Sequence, residues 1–251
     1  MTDYCIRRTA IVSLGLSGAL ALAAAGMTLA QDGPLADAGG PATSWDFESD
    51  AQGWVPIYVD LVEDYDPEVG DLLSEWQPLP EGLEGHGLYS QGANQSDDLF
   101  MGWYTAVEGL EPSTTYLVEG NLVMASNMPG EIALADDSPA EVYVKLGAYG
   151  EEIAAVVDDE GWLRLNADKG LEAEGGRDAI VLGTIANPDL EMGDDFRTFA
   201  LHELSTASAV RELSGTTDAE GTLWLFMGTD SGYAGFTTQF YDQLDVTLTP
   251  Q

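Results

Sequence analysis

Gly228 to Gly235 reads GTDSGYAG and sets Asp230 and Ser231 among three glycines near the end of the chain. An Asp-Ser-Gly string suits a nucleophilic serine when a histidine touches the hydroxyl and a carboxylate orients that histidine. Only His86 and His202 are available, and EGHGLY gives His86 no helical setting for that work. Nor is the string a G-x-S-x-G elbow, because its first glycine falls one place too early. It reads better as a turn or ligand-binding loop after the strand TLWLFM. Its glycines would then take positive φ, with Asp230 and Ser231 capping the backbone or touching a ligand.

Charged groups offer a second chemistry. Ser96-Asp97-Asp98 places two adjacent carboxylates at the entry to LFMGWY, so at least one must face solvent or a cation. Lys145, Arg164, Lys169 and Arg177 are four of the few basic residues beyond residue 30. The plainer expectation is scattered surface pairing, which contributes little. The sharper one is a polar pocket in which Lys145 and Lys169 work with Asp98 and Asp168 to orient a ligand. Trp54, Trp76, Trp103 and Trp162 are the stacking candidates. Trp76 is the preferred exposed platform because Pro78 and Pro80 follow it in what reads as a loop.

Composition narrows what such groups can serve. The chain has 8 basic and 44 acidic residues, a net charge of −36. Past residue 30 the balance is 6 against 43, and no Lys or Arg occurs between Arg8 and Lys145. Nucleic acid is excluded as an expected partner, because phosphate contact needs a basic footprint. Anionic membrane surfaces are excluded for the same reason. Clustered carboxylates would suit a divalent cation, whereas dispersed ones suit saline water.

The start reads as an export signal: Arg7-Arg8, then an apolar run from Ile11 to Leu29, then small residues up to Ala30. Cleavage there predicts a periplasmic or secreted protein without cysteine, since Cys5 is the only one. No membrane contact is expected after cleavage. Residues 31–43, QDGPLADAGGPAT, read as a flexible linker, and 44–251 as one domain.

That domain is written in short strands. WVPIYVDLV, TTYLVEGNLVMAS, AEVYVKLGAY, GWLRLNAD, DAIVLGTIAN, FRTFALHEL, TLWLFM and YDQLDVTLT alternate or run apolar between turn signals. Val142, Val144 and Leu146 share one face of their strand, with Tyr143 and Lys145 on the other. Short helical turns are expected near 66–76. The class is all-β, a sandwich or barrel.

Both ends resemble carbohydrate-binding modules of the galactose-binding-like jelly-roll type. WDFESDAQGW is similar to their first strand, FYDQLDVTL to their last, and LEPSTTYLVEG to a central strand entry. QSDDLFM, VYVKLGAYGEE, NADKG, IAN and GTDSGYAGFTTQFYD resemble a family of uncharacterised exported bacterial proteins. The first resemblance implies a jelly-roll β-sandwich and a structural calcium held by Glu48 on the first strand and Asp242 on the last. It also implies a non-catalytic binding module for a glycan or other small extracytoplasmic ligand. An extracytoplasmic hydrolase or lyase using paired carboxylates, or an envelope structural protein, is the alternative. The ligand-contact expectation covers Trp76, Asp97, Asp98, Lys145, Asp168, Lys169, Asp230 and Ser231.

Overall fold

The computed structural model describes residues 40–96, 98–130, 138, 141–191, 193 and 197–251. The expected signal peptide, most of the expected linker, and Asp97 lie outside the described residues. One sheet, the back sheet, contains β1 (Ala42–Trp45), β4 (Leu73–Pro78), β5 (His86–Ala93), β7 (Thr115–Ser126), β14 (Ala200–Ser205), β15 (Leu213–Thr216) and β17 (Phe236–Pro250). Its order is β14-β7-β17-β5-β4, with β15 also on β7 and β1 also on β17. The front sheet runs β12 (Ala179–Thr184), β9 (Val142–Tyr149), β16 (Leu223–Ser231), β6 (Leu99–Val107) and β2 (Val55–Val59). Both are antiparallel. The fold is an all-β jelly-roll sandwich. Its first strand starts at Ala42, so the last two residues of the expected linker pair with β17 instead.

Alternation along each strand decides which side chains meet. Val142, Val144 and Leu146 of β9 face inward with Leu225 and Met227 of β16. Leu122, Met124, Tyr241, Leu244 and Val246 meet them from the back sheet. Each such aliphatic side chain contributes about 1.5–3 kcal/mol of hydrophobic stabilisation. The intervening residues, Lys145, Gly147, Phe226 and Asp230, therefore stand on the outer side of the front sheet.

That outer side is not left to solvent. A small sheet of β10 (Ala155–Val157), β11 (Trp162–Leu165) and β3 (Leu61–Val62) covers part of it. Ile57, Val59, Phe100, Ile153, Leu165, Ala167, Ala179 and Phe226 form a second apolar cluster beneath that cover. β8 (Met128–Pro129) and β13 (Ala186–Asn187) form a short parallel pair.

Three local expectations change. Residues 66–71 form turns, but Leu73–Pro78 is strand β4, so Trp76 is not in a loop. WVPIYVDLV is split by Asp60, whose φ of 64° ends β2 and starts β3 in a new direction. Aspartate tolerates this left-handed conformation better than the β-branched residues beside it. Finally, Gly228–Ser231 is the end of β16 rather than a turn. Gly228, Gly232 and Gly235 are absent from the positive-φ positions. Crowding requires the first: a Cβ on Gly228 would lie 2.6 Å from the Met101 carbonyl oxygen and from the Phe100 ring.

Candidate functional site

Period-two geometry separates Asp230 from Ser231. Asp230 points outward from the front sheet and is fully buried there, whereas Ser231 pairs with Val142 on the inner side. Ser231 Oγ donates to the Tyr233 carbonyl. No hydrogen bond joins Ser231 to a histidine among the described residues. A serine nucleophile is not built here.

Asp230 is instead the base of a buried charge network. Lys145 stands diagonally across on β9, and its Nζ lies 2.6 Å from Asp230 Oδ2, with both side chains 0 % exposed. Lys169 Nζ lies 2.8 Å from Asp230 Oδ1 and 2.9 Å from Asp60 Oδ2. Arg164 of β11 reaches Asp60 at 2.6 Å, Asp158 at 3.2 Å and Asp98 at 3.5 Å. The kink at Asp60 is what aims its carboxylate at both cations. Scattered surface pairing is thus replaced by one connected, desolvated cluster.

The loop after β11 closes this cluster. Asp168 accepts from the backbone N–H of Gly170 and Arg177 and so staples the loop. Those bonds hold the Asp168 carboxyl below the usual range, that from Arg177 first. The stapled loop brings the Lys169 and Glu174 carbonyls within 3.0 Å of Lys145 Nζ. It also brings the Glu172 N–H to Asp230 Oδ2 at 2.9 Å. Glu172 has a left-handed φ of 44° to do so.

Environment separates the protonation behaviour of these groups. Burial pushes the Lys145 ammonium down, against the attraction of Asp230. For Lys169 burial acts the same way, but Asp230 and Asp60 outweigh it and hold the ammonium up. Burial, reinforced by the charge of Asp60, pushes the Asp98 carboxyl up to about 6. Asp98 Oδ1 is buried without a hydrogen bond and lies 4.0 Å from Lys169 Nζ.

One oxygen each from Asp60, Asp98 and Asp230 lies within 4.8 Å of the others, a grouping that could hold a metal ion. Lys169 Nζ already lies among these three carboxylates, and Lys145 and Arg164 match the remaining charge. A divalent ion there would have to displace the Lys169 ammonium from its contacts with Asp60 and Asp230, so the cluster fits a metal poorly. A hollow of about 290 Å³ opens over it, lined by Asp60, Asp98, Arg164, Asp168, Lys169 and Leu171. Beside that hollow, Trp162 pairs with Val62, and Arg164 with Val156, along β11. The Arg164 guanidinium lies 5.3 Å from the Trp162 ring centre. Val62 and Val156 are exposed there.

Glu48 and Asp242 are elsewhere, by the back sheet, and Glu48 lies in the bend after β1 rather than on the first strand, which ends at Trp45. Asp242 occupies the bulge of β17 where its pairing with β7 shifts register. Burial, then the charge of Glu48, raises the Asp242 carboxyl, so the two expected calcium ligands feel each other. Among the described residues neither has a lysine or arginine partner; Glu48 has His86 Nδ1 at 3.9 Å. Trp76 stacks on His86, with ring centres 4.5 Å apart, and donates to the Phe47 carbonyl at 2.6 Å. Half-buried by these contacts, it is not the open platform expected. The expected ligand residues therefore fall in three places: Asp98, Lys145, Asp168, Lys169 and Asp230 together, Ser231 inside the sandwich, and Trp76 beside the Glu48 group. Asp60, Asp158 and Arg164 complete the first place. Only the interruption of an apolar strand by Asp60 marked that residue in the sequence.

No protein-family model and no curated relative matches the sequence. Among solved structures, the chain is similar to the CBM22-1 xylan-binding domain of Paenibacillus barcinonensis Xyn10C. Identity is 10 %, the TM-score is 0.39, and 85 % of this chain and 97 % of that one are covered. The family 11 carbohydrate-binding module of Clostridium thermocellum Lic26A-Cel5E gives 10 %, 0.39, 84 % and 96 % respectively. The K1 cleaved adhesin domain of Lys-gingipain from Porphyromonas gingivalis gives 13 %, 0.38, 82 % and 98 %.

Proposed function

We propose that this domain is an exported, non-catalytic glycan-binding module whose site is the outer face of β11 and the hollow beside it. The observation that carries the reading is the side-by-side placement of an aromatic ring, a guanidinium and the part-exposed carboxyl of Asp98. Trp162 with Val62 supplies an apolar surface for a sugar face. Arg164 supplies spare N–H donors, and the part-exposed Asp98 carboxyl beside it accepts from a sugar hydroxyl. Carboxylates outnumber cations at the site, inside a chain of −36, which favours an uncharged sugar over a uronate.

Hydrolysis is disfavoured by the same geometry. A pair of carboxylates must both reach the glycosidic bond. Here Asp230 is wholly buried and bound by two lysines, and Asp60 is bound by Lys169 and Arg164.

Calcium belongs in this proposal at Glu48 and Asp242. Two mutually repelling carboxylates with no lysine or arginine partner among the described residues fit a hard cation, although six to eight oxygens are needed in all. The ion would tie the segment after β1 to the bulge of β17 and serve structure only.

A glycan array of neutral and uronate-containing polysaccharides, read with wild type and Trp162→Ala, tests the site. Binding to neutral glycans that falls at least about 10-fold in the variant, a loss of about 1.4 kcal/mol, supports it. Equal binding by both proteins, or no binding to any glycan, removes it.

A further inference from the structure

Lys145 and Asp230 do not need to touch a ligand to do chemistry. Their side chains meet on neighbouring strands, where Lys145 pairs with Gly228 and Asp230 lies two residues further along β16. Antiparallel pairing puts both on one face, and the 2.6 Å contact is fully shielded from water. We infer that Lys145 Nζ and the Asp230 carboxyl condense within the folded domain to an isopeptide bond that ties β9 to β16.

Each part of the reaction has a group in place. A proton passes from Lys145 Nζ to Asp230 across their contact and converts the ion pair into an amine and a carboxylic acid. Desolvation favours this neutral pair, the direction in which burial pushes Lys145. The two remaining N–H bonds of Lys145 face the Lys169 and Glu174 carbonyls at 3.0 Å. Its lone pair is then left for the Asp230 carboxyl. Nζ attacks Cγ, and the C–N bond forms. Negative charge develops on Oδ1, which the Lys169 ammonium holds at 2.8 Å.

Oδ2 leaves as water when the Cγ–Oδ2 bond breaks. It carries the proton already received and a second one from Nζ. Asp98, whose carboxyl oxygen lies within 4.8 Å of one on Asp230, is near enough to relay that second proton through one intervening water. A carboxyl pushed up to about 6 exchanges protons readily near neutral pH. No oxidant, metal or cofactor enters the balance. The condensation removes one positive and one negative group, so the net charge of the cluster is unchanged. Pre-alignment in a dry site supplies the driving advantage, since oriented intramolecular partners reach effective molarities near 10⁵ M or more.

The test uses the full-length protein, purified and denatured. Its mass should fall short of the sequence mass by one water, whereas Lys145→Arg and Asp230→Ala should show no such deficit. Trypsin cuts after Arg211 and finds no site in Glu212–Gln251. That peptide should remain covalently joined to the one containing Lys145. The only cysteine is Cys5, so no disulfide can join these two peptides. Asp98→Asn should fold and accumulate the uncondensed mass, with the residual rate no longer changing between pH 5 and pH 7, a window that brackets its raised ionisation at about 6. Release of free Glu212–Gln251 from the wild type, with cleavage after Lys145, overturns the inference without reference to any variant.

Discussion

Gly147 and Phe226 pair across β9 and β16 on the outer face of the front sheet, and the ring lies over the glycine. A Cβ built on Gly147 would stand 2.1 to 2.5 Å from three Phe226 ring carbons. The ring cannot simply swing aside. Phe100 meets it edge-on at 6.5 Å, and Phe226 is wholly buried in the cluster beneath the small sheet. Gly147→Ala is therefore an overpacking change, expected to cost about 1–3 kcal/mol. The gain from replacing a strand glycine offsets only about 0.5–1 kcal/mol of that. At about 2–4 °C per kcal/mol for a domain of this size, the melting temperature should fall by several degrees. Phe226→Leu alone should also destabilise, because it leaves a gap. In the double variant the smaller side chain makes room for the new methyl, so the two costs should fall short of additivity by about 1 kcal/mol. Urea unfolding followed by tryptophan fluorescence measures all four corners of this cycle. A neutral Gly147→Ala, or costs that add within about 0.5 kcal/mol, would refute the packing argument.

Four further outcomes are expected. Melting temperature should rise with sodium chloride, because a chain of −36 repels itself and salt screens that repulsion; a flat or falling curve counts against this. Glycan affinity should weaken as pH falls through about 6, where Asp98 gains a proton and loses its acceptor form; Asp98→Asn should be weak throughout, and an unchanged affinity at pH 5 contradicts the assigned contact. Calcium removal with EDTA should lower the melting temperature of wild type but not of a Glu48→Gln/Asp242→Asn variant; equal curves with and without EDTA in wild type dismiss the ion. Ser231→Ala should fold at a cost of about 1 kcal/mol for one lost hydrogen bond, and a phosphonate probe should leave wild type unlabelled; covalent labelling at Ser231 would restore a hydrolase.

The alternation of Val142, Val144 and Leu146 against Tyr143 and Lys145 determined the two faces of β9 without any coordinates. The period of a strand is a local property of the backbone. The same holds for the all-β class. That period also contained the separation of Asp230 from Ser231, once GTDS is taken as strand. The reading as a turn failed because glycine marks two different needs: positive φ, or close approach of another chain. Gly228 serves the second, and only the approach of Phe100 and Met101 from β6 reveals it. Likewise, Trp76 looked exposed because prolines follow it, but pairing of β4 with β5 sets it on His86.

Which acids meet which bases was beyond the sequence altogether. Asp60, Asp98, Lys145, Arg164, Lys169 and Asp230 span 170 positions and lie on or beside five strands. With carboxylates throughout the chain, no spacing singles out those three. Only the covering of the front sheet by β3, β11 and the loop after it takes these charges out of water. Desolvation then makes their pairing obligatory.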